Sequence, residues 1–442
     1  MKTLLVLAIP IMMGNFLQTL YNLIDTFYLG KLGKAAISAP VITFNVIFVI
    51  IAIGTGLSLA GTTLISQSKG KGDREKEDFY LGQLTVSLTV FALAIAIIGY
   101  FVSEPILKLL KTPQDTFNMT KSYMQIIFLG SPFMFGMFLF TSAFQGIGDT
   151  ITPLKVQGVA IILNLILDPL FIFGIGPFPK LGVTGAAIAT VLSRSVGSLI
   201  GIFLLIRGRH GIKLRKKYLK PSGKAIKLMF EIGIPASIGN IFASIGFTVL
   251  QGIVNTFGSA VVAAFGVGNR IVSLFNMPGM GIGRAVTILV GQSLGAENIK
   301  RAKQSVKMGV LVIGTFLTIG MTLTFFYGNY FVKFFIPNDP EVLKLGEILF
   351  RIISPSVIFF GIFMVISGAF QGAGDTKPVM ILSIVRLWGI RVPFAYILSK
   401  TLHMGATGIW LAMFLSNIIV SIWGLFWFRT GRWITHLDRK RI

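Results

Sequence analysis

Long apolar runs, separated by short polar and mostly basic segments, recur along the whole chain. Residues 42–59 carry no charge, and neither do residues 84–102 apart from their polar neighbours. Each run comes close to the ~20 residues that a helix needs to cross ~30 Å of hydrocarbon. Further runs follow at regular intervals as far as Ile422. Backbone groups in lipid must be paired inside their own segment, so the runs predict helices, about twelve in all by length. The N-terminal stretch, residues 1–15, shows no small-residue cleavage site and leads straight into the first span. It reads as a retained helix, not a signal peptide.

Composition agrees. Hydrophobic residues make up 54% of the chain and charged residues 13%, more apolar surface than a water-facing exterior can hide. The net charge of +24 would point to nucleic acid in a soluble protein. Here the basic residues cluster between spans, so no nucleic-acid partner is expected. With the N-terminus in the cytoplasm, residues 69–76, 207–227, 300–307 and 429–441 fall inside. Only scattered cations such as Lys31, Lys108, Lys180, Lys333 and Lys400 fall outside. The positive-inside rule favours this orientation, with both termini cytoplasmic. The chain has no cysteine, which excludes thiol chemistry. Its three histidines, His210, His403 and His436, sit in loops or the tail and make no metal set. No phosphate-binding loop with a following Lys-Ser/Thr occurs, so energy must come from an ion gradient or from a partner.

Aligned with itself, the chain repeats. Ala143-Phe144-Gln145-Gly146-Ile147-Gly148-Asp149-Thr150 recurs as Ala369-Phe370-Gln371-Gly372-Ala373-Gly374-Asp375-Thr376. Ile9-Pro10 recurs as Ile234-Pro235, Gln67-Ser68 as Gln292-Ser293, and Gly182 and Gly185 as Gly405 and Gly408. Order is preserved at a nearly constant offset. Each half holds an even number of spans, so the repeats are parallel and related by an axis along the membrane normal. The expected fold is an all-α integral membrane protein of two six-helix repeats. The expected divisions are an N-terminal lobe (1–207), a basic cytoplasmic linker (208–227), a C-terminal lobe (228–428) and a basic tail (429–442). The Gly-Asp-Thr turns read first as helix caps, with Gly146 or Gly148 ending one helix and Asp149 or Thr150 starting the next, and second as a hinge or gate.

Two acids interrupt the apolar runs. Asp25 follows Gln18, Tyr21 and Asn22 at helical spacing, so all four share a face. Asp168 shares a face with Asn164, and Pro169 beside it removes a ladder donor. An Asp at mid-membrane costs ~2.5–3.5 kcal/mol on insertion scales and marks a functional site by default. Two carboxylates with amide, hydroxyl and carbonyl oxygens suit Na⁺. The same carboxylates could instead carry a proton. The second half has no acid at the matching places: Leu250 and Val392 stand there, with Arg386 and Arg391 nearby. Arg194, Arg270 and Arg284 read first as snorkelling or packing residues and second as cavity lining. Phe133, Met134, Phe135, Met137 and Phe138 read first as packing or lipid-facing side chains and second as an adaptable apolar cavity.

These features together resemble the multidrug and toxic compound extrusion (MATE) transporters, and most of all the prokaryotic branch related to the DNA-damage-inducible DinF group. The likeness rests on the duplicated halves, Ile9-Pro10 and Ile234-Pro235, Asn22 with Asp25 and Thr26, the twin Gln-Gly-x-Gly-Asp-Thr turns, and Asn164 with Asp168-Pro169. It implies a non-enzymatic antiporter in the inner membrane of a prokaryote, expelling amphiphilic, mostly cationic compounds as Na⁺ or H⁺ enters, with no cofactor and no obligatory protein partner. It implies a coupling site of Asp25, Asn164, Asp168, Thr190 and the Ala186 carbonyl. Gln18, Tyr21 and Asn22 would line the substrate cavity, and the first helix would bend at Pro10, with Pro169 a second bend. The alternative is a lipid-linked oligosaccharide flippase of the same superfamily, for which the arginines speak. An intramembrane enzyme would need clustered histidines, acids or metal ligands that the chain lacks.

Overall fold

A computed structural model describes residues 1–208 and 210–435. His436 and the remainder of the basic tail lie outside the described residues. All regular structure among the described residues is helical. The long helices are α1 (Lys2–Gly30), α2 (Lys34–Lys71), α3 (Arg74–Leu109), α4 (Gln114–Leu129), α5 (Ser131–Ile147), α6 (Ile151–Phe173), α7 (Val183–Arg207), α8 (Gly223–Asn255), α9 (Ser259–Gly295), α10 (Ile299–Phe335) and α11 (Pro340–Gly372). Then α12 (Lys377–Ile384) runs through a π-helical turn, Val385–Arg391, into α13 (Val392–Tyr396) and a second π turn, Ile397–Thr401. α14 (Gly405–Arg429) ends the series.

Among the described residues, eleven stretches are long and apolar enough to span a membrane, and α4 with α5, bent by 44°, supplies a twelfth when taken as one span. The break between them falls at Gly130, and Pro132 then opens α5 without a donor for the preceding turn. Large apolar side chains cover the outside: Phe101, Phe326 and Phe334 are more than two-thirds exposed. In water such a surface would aggregate; facing lipid it is the expected exterior.

The helices divide into two compact units. The first is Met13–Ser237; the second is Met1–Met12 together with Ile238–Ile442. The first turns of α1 therefore pack with the second half, and the first turns of α8 with the first half. In the first unit, a Cβ on Gly56 of α2 would lie 2.1 Å from Ser237 Oγ and 2.4 Å from the Gly233 carbonyl of α8. In the second unit, a Cβ on Gly281 of α9 would lie 2.3 Å from Met12 and 3.2 Å from the Ala8 carbonyl of α1. The two crossings are copies at the same repeat offset. Lipid offers apolar surface everywhere, so helices adhere where small residues let backbones approach. Pro10 and Pro235 each stand within a continuous helix, just before the chain passes from one unit to the other.

The recurring motifs acquire local reasons. Gly148 ends α5 in the left-handed conformation (φ 91°), and Gly374 has the same hand (φ 77°). The Asp149 carboxylate accepts from the Ile151 and Thr152 amides at 3.1 and 2.9 Å and from Thr152 Oγ1 at 2.6 Å. The cap is thus made by Asp149. Thr150, the other residue read as a cap, makes no capping bond with its side chain. Gly185 and Gly408 each face the backbone of the preceding helix, at Phe171 and Leu398. The basic segment after α7 lies against α3. Asp78 accepts from the Lys213 amide at 2.8 Å and from Arg215 Nε at 2.6 Å, while Gln83 donates to the Tyr218 and Lys220 carbonyls.

Candidate functional site

The carboxylate-bearing faces of α1 and α6 meet inside the first unit, around a cavity of about 640 Å³. Gln18, Tyr21, Asn22 and Asp25 of α1, Asn164 of α6, and Thr190 and Arg194 of α7 all line it. The i, i+3, i+4, i+7 spacing on α1 does what helical periodicity requires, delivering four polar groups to one wall. Asp168 lies behind that wall, fully buried, and Asn164 Nδ2 donates to its Oδ1 at 3.1 Å.

Two oxygens of this cluster stand out. Asp25 Oδ1 and Asp168 Oδ2 are buried and have no hydrogen-bond partner from the protein. The two carboxylates lie within electrostatic range of each other, and Arg194 lies within range of Asp25. An unpaired carboxylate in an apolar surround is costly unless a cation or a proton joins it. The donor set is therefore one that fits a hard cation or a transferable proton. The Tyr21 hydroxyl and Thr190 Oγ1 are bonded to each other at 2.9 Å, which joins α1 to α7 beside the carboxylates.

Polar groups continue along the cavity. Gln157 Nε2 donates to the Gly14 carbonyl at 3.3 Å and faces Gln18 Oε1 at 3.4 Å, and Gln18 in turn faces Asn22 Oδ1 at 3.4 Å. The cavity is also lined by aromatic side chains, Phe44, Phe48 and Phe138.

The structure places the remaining predicted residues as follows. Ala186 is buried in the packing of α7 against Ile172, Tyr123 and Ile47, and it does not line the cavity. Pro169 stands within a continuous α6 directly after Asp168. Arg194, read first from sequence as a snorkelling or packing residue, lines the cavity. So do Met134, Met137 and Phe138, read first as packing or lipid-facing. In each case burial on one particular helix face decided the matter, and that face is set by neighbours distant in sequence. Arg270 is exposed, and Arg386 and Arg391 lie in the second unit. Among the described residues no group of three or more His, Cys, Asp or Glu is placed to hold a metal ion.

Tyr123 of α4 also lines the cavity and is buried, and sequence reasoning missed it. A signal was present. Thr116, Thr120 and Tyr123 recur at i, i+4 and i+7 and are all buried on one face of α4, the pattern of a polar stripe turned inward.

Known proteins match this chain over most of its length. The MatE family model matches residues 10–170 and again residues 235–397. The probable multidrug resistance protein YpnP of Bacillus subtilis is 31% identical, over 98% of this chain and 96% of its own length. The probable multidrug resistance protein NorM of Thermotoga maritima is 30% identical, over 100% and 95%. Among solved structures, the crystal structure of MATE in the bent conformation superposes with a TM-score of 0.91 at 24% identity, covering 99% of this chain and 96% of that one.

Proposed function

The chain belongs to the MatE family of multi-pass membrane transporters, which are not enzymes, and on that premise we propose that it is a cation-coupled antiporter. It would export amphiphilic, mostly cationic organic compounds in exchange for entering Na⁺ or H⁺. The relatives YpnP and NorM are named as multidrug resistance proteins, which supports the substrate class. The orientation proposed is that of the charge pattern, with both termini on the cytoplasmic side of the inner membrane of a prokaryote.

One observation carries the coupling: the Asp25 and Asp168 oxygens that are buried with no protein partner, beside a cavity lined by both polar and apolar side chains. A cation or proton bound there neutralises carboxylates that the surroundings cannot solvate. The organic cation would compete for the same negative charge from the cavity side. Because entry of one relieves the need for the other, binding of the two is opposed, and opposed binding is what antiport requires. Asp25, Asn164 and Asp168 would hold the coupling ion, with Thr190 and Tyr21 beside it and the Ala186 carbonyl behind. Gln18, Tyr21 and Asn22 would meet the substrate, and the rings of Phe44, Phe48 and Phe138 would receive its charged or apolar parts. The volume suits a drug-sized molecule, for which pockets run ~300–1,000 Å³. Pro10 and Pro169 would be where the two helices yield as the site changes its exposure.

The test is dye efflux from proteoliposomes carrying the purified chain, with Na⁺ and pH gradients imposed separately. Uphill efflux driven by one of them supports the reading and names the ion. Efflux indifferent to both gradients, or undiminished in Asp25→Asn and Asp168→Asn, overturns it. The flippase alternative draws on Arg194 alone within this cavity. Movement of a lipid diphosphate without movement of cationic dye would establish it instead.

A further inference from the structure

The second unit inverts the charge of the first at the corresponding place. Pro393 repeats Pro169, but the residue before it is Val392 where the first unit has Asp168, and Arg391 and Arg386 supply the charge. Leu415-Ser416-Asn417 repeats Leu192-Ser193-Arg194, so an amide stands where the first unit has its guanidinium. The first unit pairs acids on α1 and α6 with an arginine on α7. The second has arginines on the segment corresponding to α6 and an amide on α14, with no acid anywhere in residues 376–429, 299–337 or 239–296.

The two arginines are brought together by backbone geometry. In an α-helix, residues five apart point about 140° away from each other. Val385–Arg391 is a π turn, whose i→i+5 bonding places such residues more nearly above one another. The widening has a local cause, since an α-helical Pro393 would press its ring on the Gly389 carbonyl. Both guanidinium groups consequently lie over the same ring, Phe247, at 5.5 Å for Arg391 and 5.9 Å for Arg386, and Arg386 also lies 4.3 Å from the Phe360 ring.

Both are buried, at 6% and 2% exposure. Arg391 donates through Nε to Ser416 Oγ at 2.9 Å and through a terminal nitrogen to Asn417 Oδ1 at 2.6 Å. Asn417 is itself oriented by donating to Ser356 Oγ at 3.2 Å. These acceptors are neutral. Arg386 Nε is buried with no partner. Two adjacent guanidinium groups repel each other, and aromatic faces answer their charge without using their N–H donors. A planar or tetrahedral oxyanion would accept from Arg386 Nε and answer the charge of both groups. Phe247 is 41% exposed, so the pair lies one side chain from the surface of its unit.

We propose that Arg386 and Arg391 form a binding site for an oxyanion, a carboxylate or phosphate carried by an amphiphile. This goes beyond the cation site of the first unit and does not depend on it. The anion can arrive on a transported solute or on a lipid headgroup.

The experiment uses the full-length protein in phosphatidylcholine nanodiscs, titrated with dodecyl phosphate and, as the opposite charge on the same tail, dodecyltrimethylammonium. Tryptophan fluorescence is the readout, since Trp388 lies between the two arginines in the chain. Saturable binding of the phosphate is expected, weakened roughly tenfold to a hundredfold in Arg386→Gln and less in Arg386→Lys. Arg391→Gln could loosen the fold because it removes the ties to α14. Arg386→Gln breaks no such tie and is the deciding variant. Asp25→Asn and Asp168→Asn should retain phosphate binding whatever they do to dye efflux. Displacement of the phosphate by added phosphatidylglycerol assigns the site to a lipid headgroup, and its persistence assigns the site to a solute. Absence of saturable phosphate binding to the wild type, or equal affinity for the phosphate in Arg386→Gln, overturns the proposal, while binding of dodecyltrimethylammonium, which the first unit's cavity would take, should be unchanged in Arg386→Gln.

Discussion

Asn164 donates a hydrogen bond to Asp168 across one turn of α6, at 3.1 Å, and leaves the other carboxylate oxygen of Asp168 buried without a protein partner. The amide fixes the carboxylate and satisfies half of it. Under the proposed coupling, the entering cation or proton would meet the other half. Asp168→Asn should therefore leave the protein folded and in the membrane while gradient-driven dye efflux falls to the rate of empty liposomes. Monodispersity by size-exclusion chromatography, measured alongside efflux, separates lost coupling from lost folding.

The Tyr21–Thr190 hydroxyl pair gives a stability prediction. Their bond at 2.9 Å is buried, and Tyr21→Phe removes the side-chain partner of Thr190 Oγ1. A cost of about 1 kcal/mol is expected. A double-mutant cycle with Thr190→Val, read by thermal unfolding in detergent, should find the two losses strongly non-additive. Additive losses would mean that the bond contributes nothing.

Arg194 lines the same cavity as Asp25 and lies within its electrostatic range. It offsets part of the negative charge that a cationic substrate would meet. Arg194→Gln is expected to tighten binding of a cationic dye severalfold and to leave a neutral dye unchanged. Fluorescence anisotropy on the purified protein reads both. Weaker binding of the cationic dye would assign Arg194 a direct role in holding substrate.

The small-residue crossings should be intolerant of added volume. A Cβ at Gly56 meets backbone and a buried hydroxyl at under 2.5 Å, whereas one at Gly158 meets nothing within 4 Å. Gly56→Ala is expected to destabilise by ~1–3 kcal/mol through overpacking. Gly158→Ala, inside α6, should stabilise by up to ~1 kcal/mol through helix propensity. Opposite shifts in melting temperature are the signature, and equal shifts would contradict the packing described.

The cap at the repeated turn offers a smaller effect. Asp149 holds two amides at the start of α6, so Asp149→Ala should cost ~0.5–2 kcal/mol. Asp149→Asn should recover most of it, since an amide oxygen accepts the same bonds. Thermal unfolding of the two variants side by side makes the comparison.

Much of this molecule is written locally. Span length, the duplicated halves and the shared face of Gln18, Tyr21, Asn22 and Asp25 all follow from runs and spacings within single helices. A helix keeps its periodicity whatever surrounds it, and in lipid its backbone has no other way to be satisfied. The spacing of Asn164 and Asp168 was legible for the same reason, and so was a glycine end to α5, though not the choice of Gly148 over Gly146. What sequence could not decide was which faces turn toward each other. Tyr123 and Arg194 join the cavity because α4 and α7 pack beside α1 and α6. Met134 and Met137 meet the cavity, not lipid, because α5 presents that side to it. Arg386 and Arg391 come to lie over one ring because a π turn rewinds the segment between them, which no α-helical spacing foretells. The crossing at Gly56 brings together residues nearly 180 positions apart. Such contacts depend on packing between helices, where lipid and protein are equally apolar and only close fit, burial and charge choose the partner.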